Sequence, residues 1–332
     1  MESTINNQQS QIQNPKYRSG FVAIVGKPNV GKSTLLNAYL GQKVAIVSDK
    51  PQTTRVRQLG ILTRPDVQVI FIDTPGIHKP LHKLGDRMVE SATQALDDAD
   101  VLVFLADVSE LPTDEDRRIA EMIHQRAGER PVLLALNKMD RLPPEKVKEH
   151  TEAYWALLGH NRSNDPSRSS TAKAVATNWD WMMLSATTGD NRDKLLDMIV
   201  ARLPEGPQYY PEDQVTDRTE RVVAADLIRE QVLHFVHREV PHAVAVAVEQ
   251  WDERRSGAVH IGATVYVERE TQKAIVIGHG GEMLKKFGAA ARREIERLVG
   301  AKVFLELWVK VRKDWRAQDT DLRELGYVEG GE

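Results

Sequence analysis

Residues 26–34 read GKPNVGKST and follow directly on the apolar run FVAIV (21–25). A glycine, four residues and then Gly31-Lys32-Ser33 is a spacing made for one setting, a strand that turns through a tight loop into a helix. The glycines let successive N–H groups point inward around an anion, and the N-terminus of the following helix adds partial positive charge. Lys32 can then reach the outer phosphates of a nucleoside triphosphate, and the Ser33 hydroxyl can ligate Mg²⁺. The whole stretch, Gly26, Lys27, Pro28, Asn29, Val30, Gly31, Lys32, Ser33 and Thr34, is expected to wrap those phosphates. A glycine-rich turn with no ligand is the plain alternative, and the strand before and the helix after it argue against it.

The residues that follow alternate strand and helix patterns. VRQLGILT (56–63) and VQVIFIDT (67–74) flank a turn at Arg64-Pro65-Asp66, which predicts an antiparallel hairpin. VLVFLADV (101–108) and PVLLALNK (131–138) are further apolar strands, each after a helix-like segment. WMMLSAT (181–187) predicts a last strand and NRDKLLDMIVARL (191–203) a closing helix. Together they predict an α/β fold, a mostly parallel sheet with helices on both faces. The stretch 159–180 is rich in Ser, Asn and Thr and predicts a loop with no assigned chemistry.

Three short motifs end these strands. In DTPG, Asp73 would hold Mg²⁺ through water and the Gly76 N–H would sense a γ-phosphate, with Thr74, Pro75 and Ile77 in the same turn. In NKMD, Asp140 can accept from both guanine N–H groups, Asn137 ties this loop to the phosphate loop, and the Lys138 stem covers the base. Adenine presents the opposite hydrogen-bond pattern at that edge, so the motif selects GTP over ATP. In SAT, formed by Ser185, Ala186 and Thr187, the Ala186 N–H can reach guanine O6. Each motif alone is weak, since an aspartate at a strand end is commonly a loop starter. All four fall in order at strand ends, where open α/β sheets bind ligands.

A chain of 332 residues suits two domains. It has no cysteine, which excludes disulfides and thiolate metal sites and favours a reducing cytoplasm. Net charge is −3, so any nucleic-acid surface must be local. The polar start, residues 1–19, predicts a disordered tail. LPEGPQYYPEDQ (203–214) holds three prolines and predicts a linker. After it, 220–240 reads as a long amphipathic helix with Val223, Leu227, Ile228, Val232 and Val236 on one stripe. Strands follow at 243–251 and 258–269 around Arg255-Ser256-Gly257, then a glycine turn at 278–281, a helix over 282–299 and a strand over 302–311. The run KAIVI (273–277) reads as a strand on pattern alone. His234, His237, His242 and His279 have no metal-ligand spacing. Six tryptophans read as packing residues, with base stacking by Trp308 and Trp315 the lesser alternative.

The set GKPNVGKS, DTPG, NKMD and SAT resembles translation-factor-class GTPases of the TrmE-Era-EngA-like group. With LPEGPQYYPEDQVTDR and VIGHGGEMLKKFG, the chain over about 20–328 resembles the Era family, bacterial ribosome-assembly GTPases with a C-terminal type II KH domain. The resemblance implies a G domain over 20–204, a linker over 205–218, a KH domain over 219–317 and a tail over 318–332. QTTR (52–55) then matches switch I, with Thr54 a Mg²⁺ ligand and Thr53 the fallback, so that Ser33, Thr54 and Asp73 form the metal set. Lys32, Thr54, Gly76 and Asn29 are the expected catalytic residues. Asn29 matches an asparagine that in related loops helps bind K⁺, and loop shaping is its other role. Ile77 stands where many small GTPases carry a water-orienting glutamine, which implies slow intrinsic hydrolysis. Arg55 and Arg57 are expected to be solvated or RNA-facing. Gly278-His279-Gly280-Gly281 matches the GXXG loop that clamps a single-stranded RNA backbone, aided by Lys285, Lys286, Arg292 and Arg293. The family implies a short helix, not a strand, before that loop. It also implies the 3′ end of 16S ribosomal RNA and the 30S subunit as partners, a monomer, and a cytoplasmic protein peripherally associated with the inner membrane. A nearly idle GTPase, or a C-terminal domain that binds protein, are the competing expectations.

Overall fold

The structure is a computed structural model that describes residues 17–48, 50, 53–77, 82–158, 179–236, 240–254 and 257–328. Most of the N-terminal segment and of 159–180 therefore lie outside the described residues, as do Gln52, His237, Arg255 and Ser256. The first unit comprises β1 (Arg18–Val25), α1 (Lys32–Leu40), β2 (Gln58–Arg64), β3 (Val67–Asp73), α2 (Lys83–Asp98), β4 (Val101–Asp107), α3 (Asp114–Arg126), β5 (Val132–Asn137), α4 (Val147–Ala156), β6 (Trp179–Met183) and α5 (Arg192–Val200). Its sheet runs β2-β3-β1-β4-β5-β6. Only β2 is antiparallel, paired to β3 as the expected hairpin.

β3 and β4 are buried along their whole length, which is why both read as near-continuous apolar runs. One face packs on α2, α3 and α4 through Ala92, Leu96, Ile119, Ile123 and Tyr154. The other packs on α1 and α5 through Leu35, Leu36, Leu195 and Ile199. With both faces covered, the carboxyl ends of β1, β3 and β5 are left to carry loops, and those loops are the motifs.

The second unit comprises α6 (Glu220–Phe235), a short α7 (Val240–Ala243), β7 (Ala245–Glu253), β8 (Val259–Val267), α8 (Glu270–Ile277), α9 (Glu282–Val299), β9 (Val303–Val311) and α10 (Asp319–Glu324). The sheet β7-β8-β9 is antiparallel at its first pair and parallel at its second. Its inner face, with Ile261, Ala263 and Val265, packs on Leu227 and Ile228 of α6 and Phe287, Ala291 and Ile295 of α9.

Several expectations need correction. Residues 270–277 form a helix, as the family implied and the apolar pattern did not. Gln272 folds back to accept from the N–H groups of Glu268 and Arg269, capping the start. Ile275 is exposed while Val276 is buried, so the apolar run is not a two-sided strand. The helix expected over 220–240 ends at Phe235, because Val236 is extended. The last strand of the first sheet ends at Met183, so Ser185-Ala186-Thr187 lies in the turn beyond it. Residues 205–218 hug β2: Ile61 N–H donates to Val215 O at 2.9 Å, and Leu59 N–H to Asp217 Oδ1 at 2.9 Å. The expected tail contains α10, whose Leu322 is buried with Trp315 against Leu84 and Met88 of α2. That cluster joins the two units.

Candidate functional site

The loop after β1 closes on itself. Gly31 caps α1 with φ 103°, a left-handed conformation, and a Cβ there would lie 2.4 Å from Asn137 Nδ2. Only glycine meets both conditions. Asn29 also has a positive φ of 64°, which asparagine tolerates better than most residues. Lys32 folds over the loop, donating to Gly26 O and Lys27 O at 3.0 Å each. Burial pushes its ammonium down to about 8, against the pull of Asp73. Lys27 is turned away and pairs with the buried Asp116 of α3 at 3.1 Å.

Beside Lys32 lies a corner of hard oxygens. Ser33 Oγ is 2.9 Å from Asp73 Oδ2 and 3.1 Å from Thr54 Oγ1, and Thr54 Oγ1 is 3.4 Å from Asp73 Oδ2. Thr53, the fallback, donates instead to Lys50 O at 2.6 Å. Asp73 is fully buried, and its Oδ1 has no hydrogen-bond partner. Burial raises its carboxyl, with Lys32 and donors from Ser33, Gln58 and Thr54 opposing. Two hydroxyls and a carboxylate with an unpaired buried oxygen fit Mg²⁺, a hard cation that takes oxygen ligands. Gln58 was not anticipated. Its register opposite Asp73 in the hairpin is the signal that could have found it.

The loop after β3 packs against the end of β1. Thr74 Oγ1 donates to Ile24 O at 2.8 Å and Ile77 N–H to Gly26 O at 3.3 Å. The Ile77 side chain is buried in the core with Val25 and Ile72.

Asn137 links three motifs. Its Nδ2 donates to Val30 O at 2.7 Å, and its Oδ1 accepts from Ala186 N–H at 2.8 Å. In this conformation the Ala186 N–H is thus engaged by Asn137. Ser185 Oγ accepts from Thr188 N–H at 3.1 Å, and Thr187 is exposed. Lys138 stands at φ 64° and pairs with Asp107 at 2.5 Å, while Asp140 is exposed in the following turn. Pro28, Thr34 and Gly76 line the same cleft as Asn29, Gly31, Lys32 and Ser33.

The second glycine turn lies between α8 and α9, far along the chain. Gly278 has φ 72° and ψ 174°, and a Cβ on it would lie 2.9 Å from Met283 N. His279 and Gly280 are exposed, and nothing lies within 4 Å of a Cβ on Gly280 or Gly281. Lys285, Lys286, Arg292 and Arg293 are all exposed on α9. Residues seven apart share a helix face, so these four form a basic stripe leading away from the turn.

Arg55 departs most from expectation. It is neither solvated nor RNA-facing but 3% exposed, between the two units. Burial pushes its guanidinium down to about 10. Trp315, also buried, lies against it and cannot stack a base, whereas Trp308 is 44% exposed. Arg57 pairs with Asp98 at 2.7 Å. No group of metal-ligating His, Cys, Asp or Glu occurs among the described residues.

Sheet order, phosphate loop and guanine loop define a P-loop GTPase, and the second unit defines an attached KH domain. The family model of a 50S ribosome-binding GTPase matches residues 21–138, and that of a KH domain matches 239–316. A crystal structure of Era in complex with MgGDPNP and nucleotides 1506–1542 of 16S ribosomal RNA is 38% identical. It covers 94% of this chain and 99% of its own, with a TM-score of 0.83. A point variant of Aquifex aeolicus Era bound to GDP·AlF4⁻ is also 38% identical, covering 93% and 99% with a TM-score of 0.81. The chain belongs to the Era family.

Proposed function

We propose that this chain binds GTP in the loop Gly26–Thr34, hydrolyses it to GDP and phosphate, and grips the 3′ end of 16S ribosomal RNA through Gly278–Gly281 during assembly and maturation of the 30S subunit. One observation carries this: four loops meet at one end of one sheet, in a chain 38% identical to an Era solved with a GTP analogue and that RNA. Ser33, Thr54 and Asp73 would hold Mg²⁺, which when bound supplies positive charge to the phosphate oxygens. Lys32 and the loop N–H groups stabilise charge that develops as the terminal phosphate leaves. Asp140 recognises guanine, with Asn137 fixing its loop. The buried Ile77 cannot hold water, so the attacking water is held by backbone groups, Gly76 among them, and by the phosphate itself. Intrinsic turnover is accordingly slow.

K⁺ ligation by Asn29 belongs to the same proposal, and equal GTPase rates in K⁺ and Na⁺ would remove it. So do a monomeric state and peripheral association with the cytoplasmic side of the inner membrane. Among the described residues no helix is long and apolar enough to cross a membrane. GTP would fix the two domains in an RNA-accepting arrangement, and hydrolysis would release it. Crosslinking to cellular RNA in the GTP state, with mapped sites, tests the partner. Single-turnover hydrolysis with and without RNA tests the enzyme. Crosslinks scattered away from the 16S 3′ end, or no hydrolysis in either condition, would overturn the proposal.

A further inference from the structure

Switch I and the KH domain grip one another through three buried side chains. From α6, Arg229 donates Nη2 to the Thr53 carbonyl, and Arg229 is 2% exposed. Its neighbour Glu230, 1% exposed, accepts from Val47 N–H at 2.9 Å and pairs with Lys43 at 2.5 Å. In the opposite direction Arg55 enters the KH domain. Its Nη1 donates to Val244 O at 2.7 Å and to Tyr327 Oη at 3.2 Å, and its Nη2 donates to His242 O at 3.1 Å. Its guanidinium lies 5.4 Å from the ring centroids of both Trp315 and Tyr327. Residues 53 and 55 are therefore both held from the second domain, and between them Thr54 points its hydroxyl at Ser33 and Asp73.

We propose that the KH domain positions the Thr54 hydroxyl at the metal corner, with Arg229 and Arg55 as the two positioning residues, so that RNA occupancy and γ-phosphate occupancy are linked through residues 53–55. This rests on the GTPase function proposed for the same corner. Drawing either buried guanidinium off its partners would leave an uncompensated buried charge, which is costly, so the clamp resists gradual deformation. The route to the RNA loop is short. α6 packs on α9 through the common core, α9 begins at the glycine turn, and Lys43 reaches Glu294 of α9 at 3.7 Å. Linkage requires that if RNA changes the affinity for GTP by some factor, GTP changes the affinity for RNA by the same factor.

The test uses the full chain, a non-hydrolysable GTP analogue with Mg²⁺, GDP, and an oligoribonucleotide of the 16S 3′ end. Arg229→Met and Arg55→Met should each weaken analogue binding about tenfold and GDP binding less than twofold, because contacts to the γ-phosphate and its Mg²⁺ are what order a GTPase switch loop such as 53–55. The factor by which RNA changes analogue affinity in the parent chain should fall to one. Arg229→Lys, which can still donate to the Thr53 carbonyl, should recover part of the loss. If a methionine variant does not fold, Arg55→Lys carries the test, since it keeps the charge but cannot span both carbonyls. Equal weakening of analogue and GDP, or an unchanged analogue affinity, would overturn the inference and leave the GTPase function standing. A parent chain that binds neither nucleotide would overturn both.

Discussion

Asn137 is the strut on which the nucleotide end of the sheet depends, and Asn137→Ala tests that with a magnitude that can be worked out. The residue is 2% exposed and makes two hydrogen bonds, one to the Val30 carbonyl at 2.7 Å and one from the Ala186 N–H at 2.8 Å. Alanine leaves one acceptor and one donor buried and unpaired, each costing about 1–3 kcal/mol. Allowing for water relieving part of this, the total should be about 2–4 kcal/mol. It can appear in two places. If the loops stay put without nucleotide, it lowers folding stability, at about 2–4 °C of Tm per kcal/mol for a domain of this size. If they relax, nucleotide must restore them, and affinity falls tenfold for about every 1.4 kcal/mol. Thermal melting and fluorescent-nucleotide titration of the same variant should together recover the total. The affinity part should be equal for GDP and GTP, since guanine and the loop are common to both. Asn137→Asp keeps the acceptor for Ala186 but sets a carboxylate against the Val30 carbonyl, so it should disturb the phosphate side more than the guanine side. A summed loss below about 1 kcal/mol, or a loss confined to GTP, would refute the strut.

Other predictions follow from the same geometry. Asp73→Asn removes the charge of the metal corner, so Mg²⁺ should no longer tighten GTP binding, as measured by titration with and without a chelator. His279→Asp combined with Gly280→Asp places two carboxylates on an exposed turn, and although Gly280 has φ 54°, aspartate tolerates that left-handed conformation better than most residues, so folding and basal GTPase should persist. Filter binding to RNA should drop by at least ~10-fold through phosphate repulsion. Burial pushes the Asp107 carboxyl up, but hydrogen bonds from Lys138 and Ser109 hold it below its ordinary value. A depressed carboxyl stabilises the fold above its unfolded pKa and loses that contribution as pH falls through the folded one. The stability gap between the parent chain and Asp107→Asn, read from denaturant melts, should therefore be open at neutral pH and close below about pH 4.

The nucleotide end was legible because its residues do local work that leaves a local signature. A glycine that must take φ 103° at the start of α1, or an aspartate that ends a buried strand, is fixed by neighbours close in sequence or by the sheet period. What stayed hidden depends on partners far along the chain. Arg55 reads as a solvated switch residue until Trp315 and Tyr327 close over it from more than 250 residues away. Leu322 sits in a polar stretch, and only its seat against α2 makes α10 part of the fold. KAIVI misled because four apolar residues in a row fit either period, and the deciding cap, Gln272 on Glu268 and Arg269, precedes the run. The end of α6 at Phe235 carries no glycine or proline to mark it.

The central claim is that the nucleotide held by the first loop governs the grip of the second. One titration addresses it most directly: the affinity of the full chain for an oligoribonucleotide of the 16S 3′ end, measured with Mg²⁺ and a GTP analogue and again with GDP. Clearly tighter binding with the analogue is the expected result. Equal affinities in the two nucleotide states would contradict the claim.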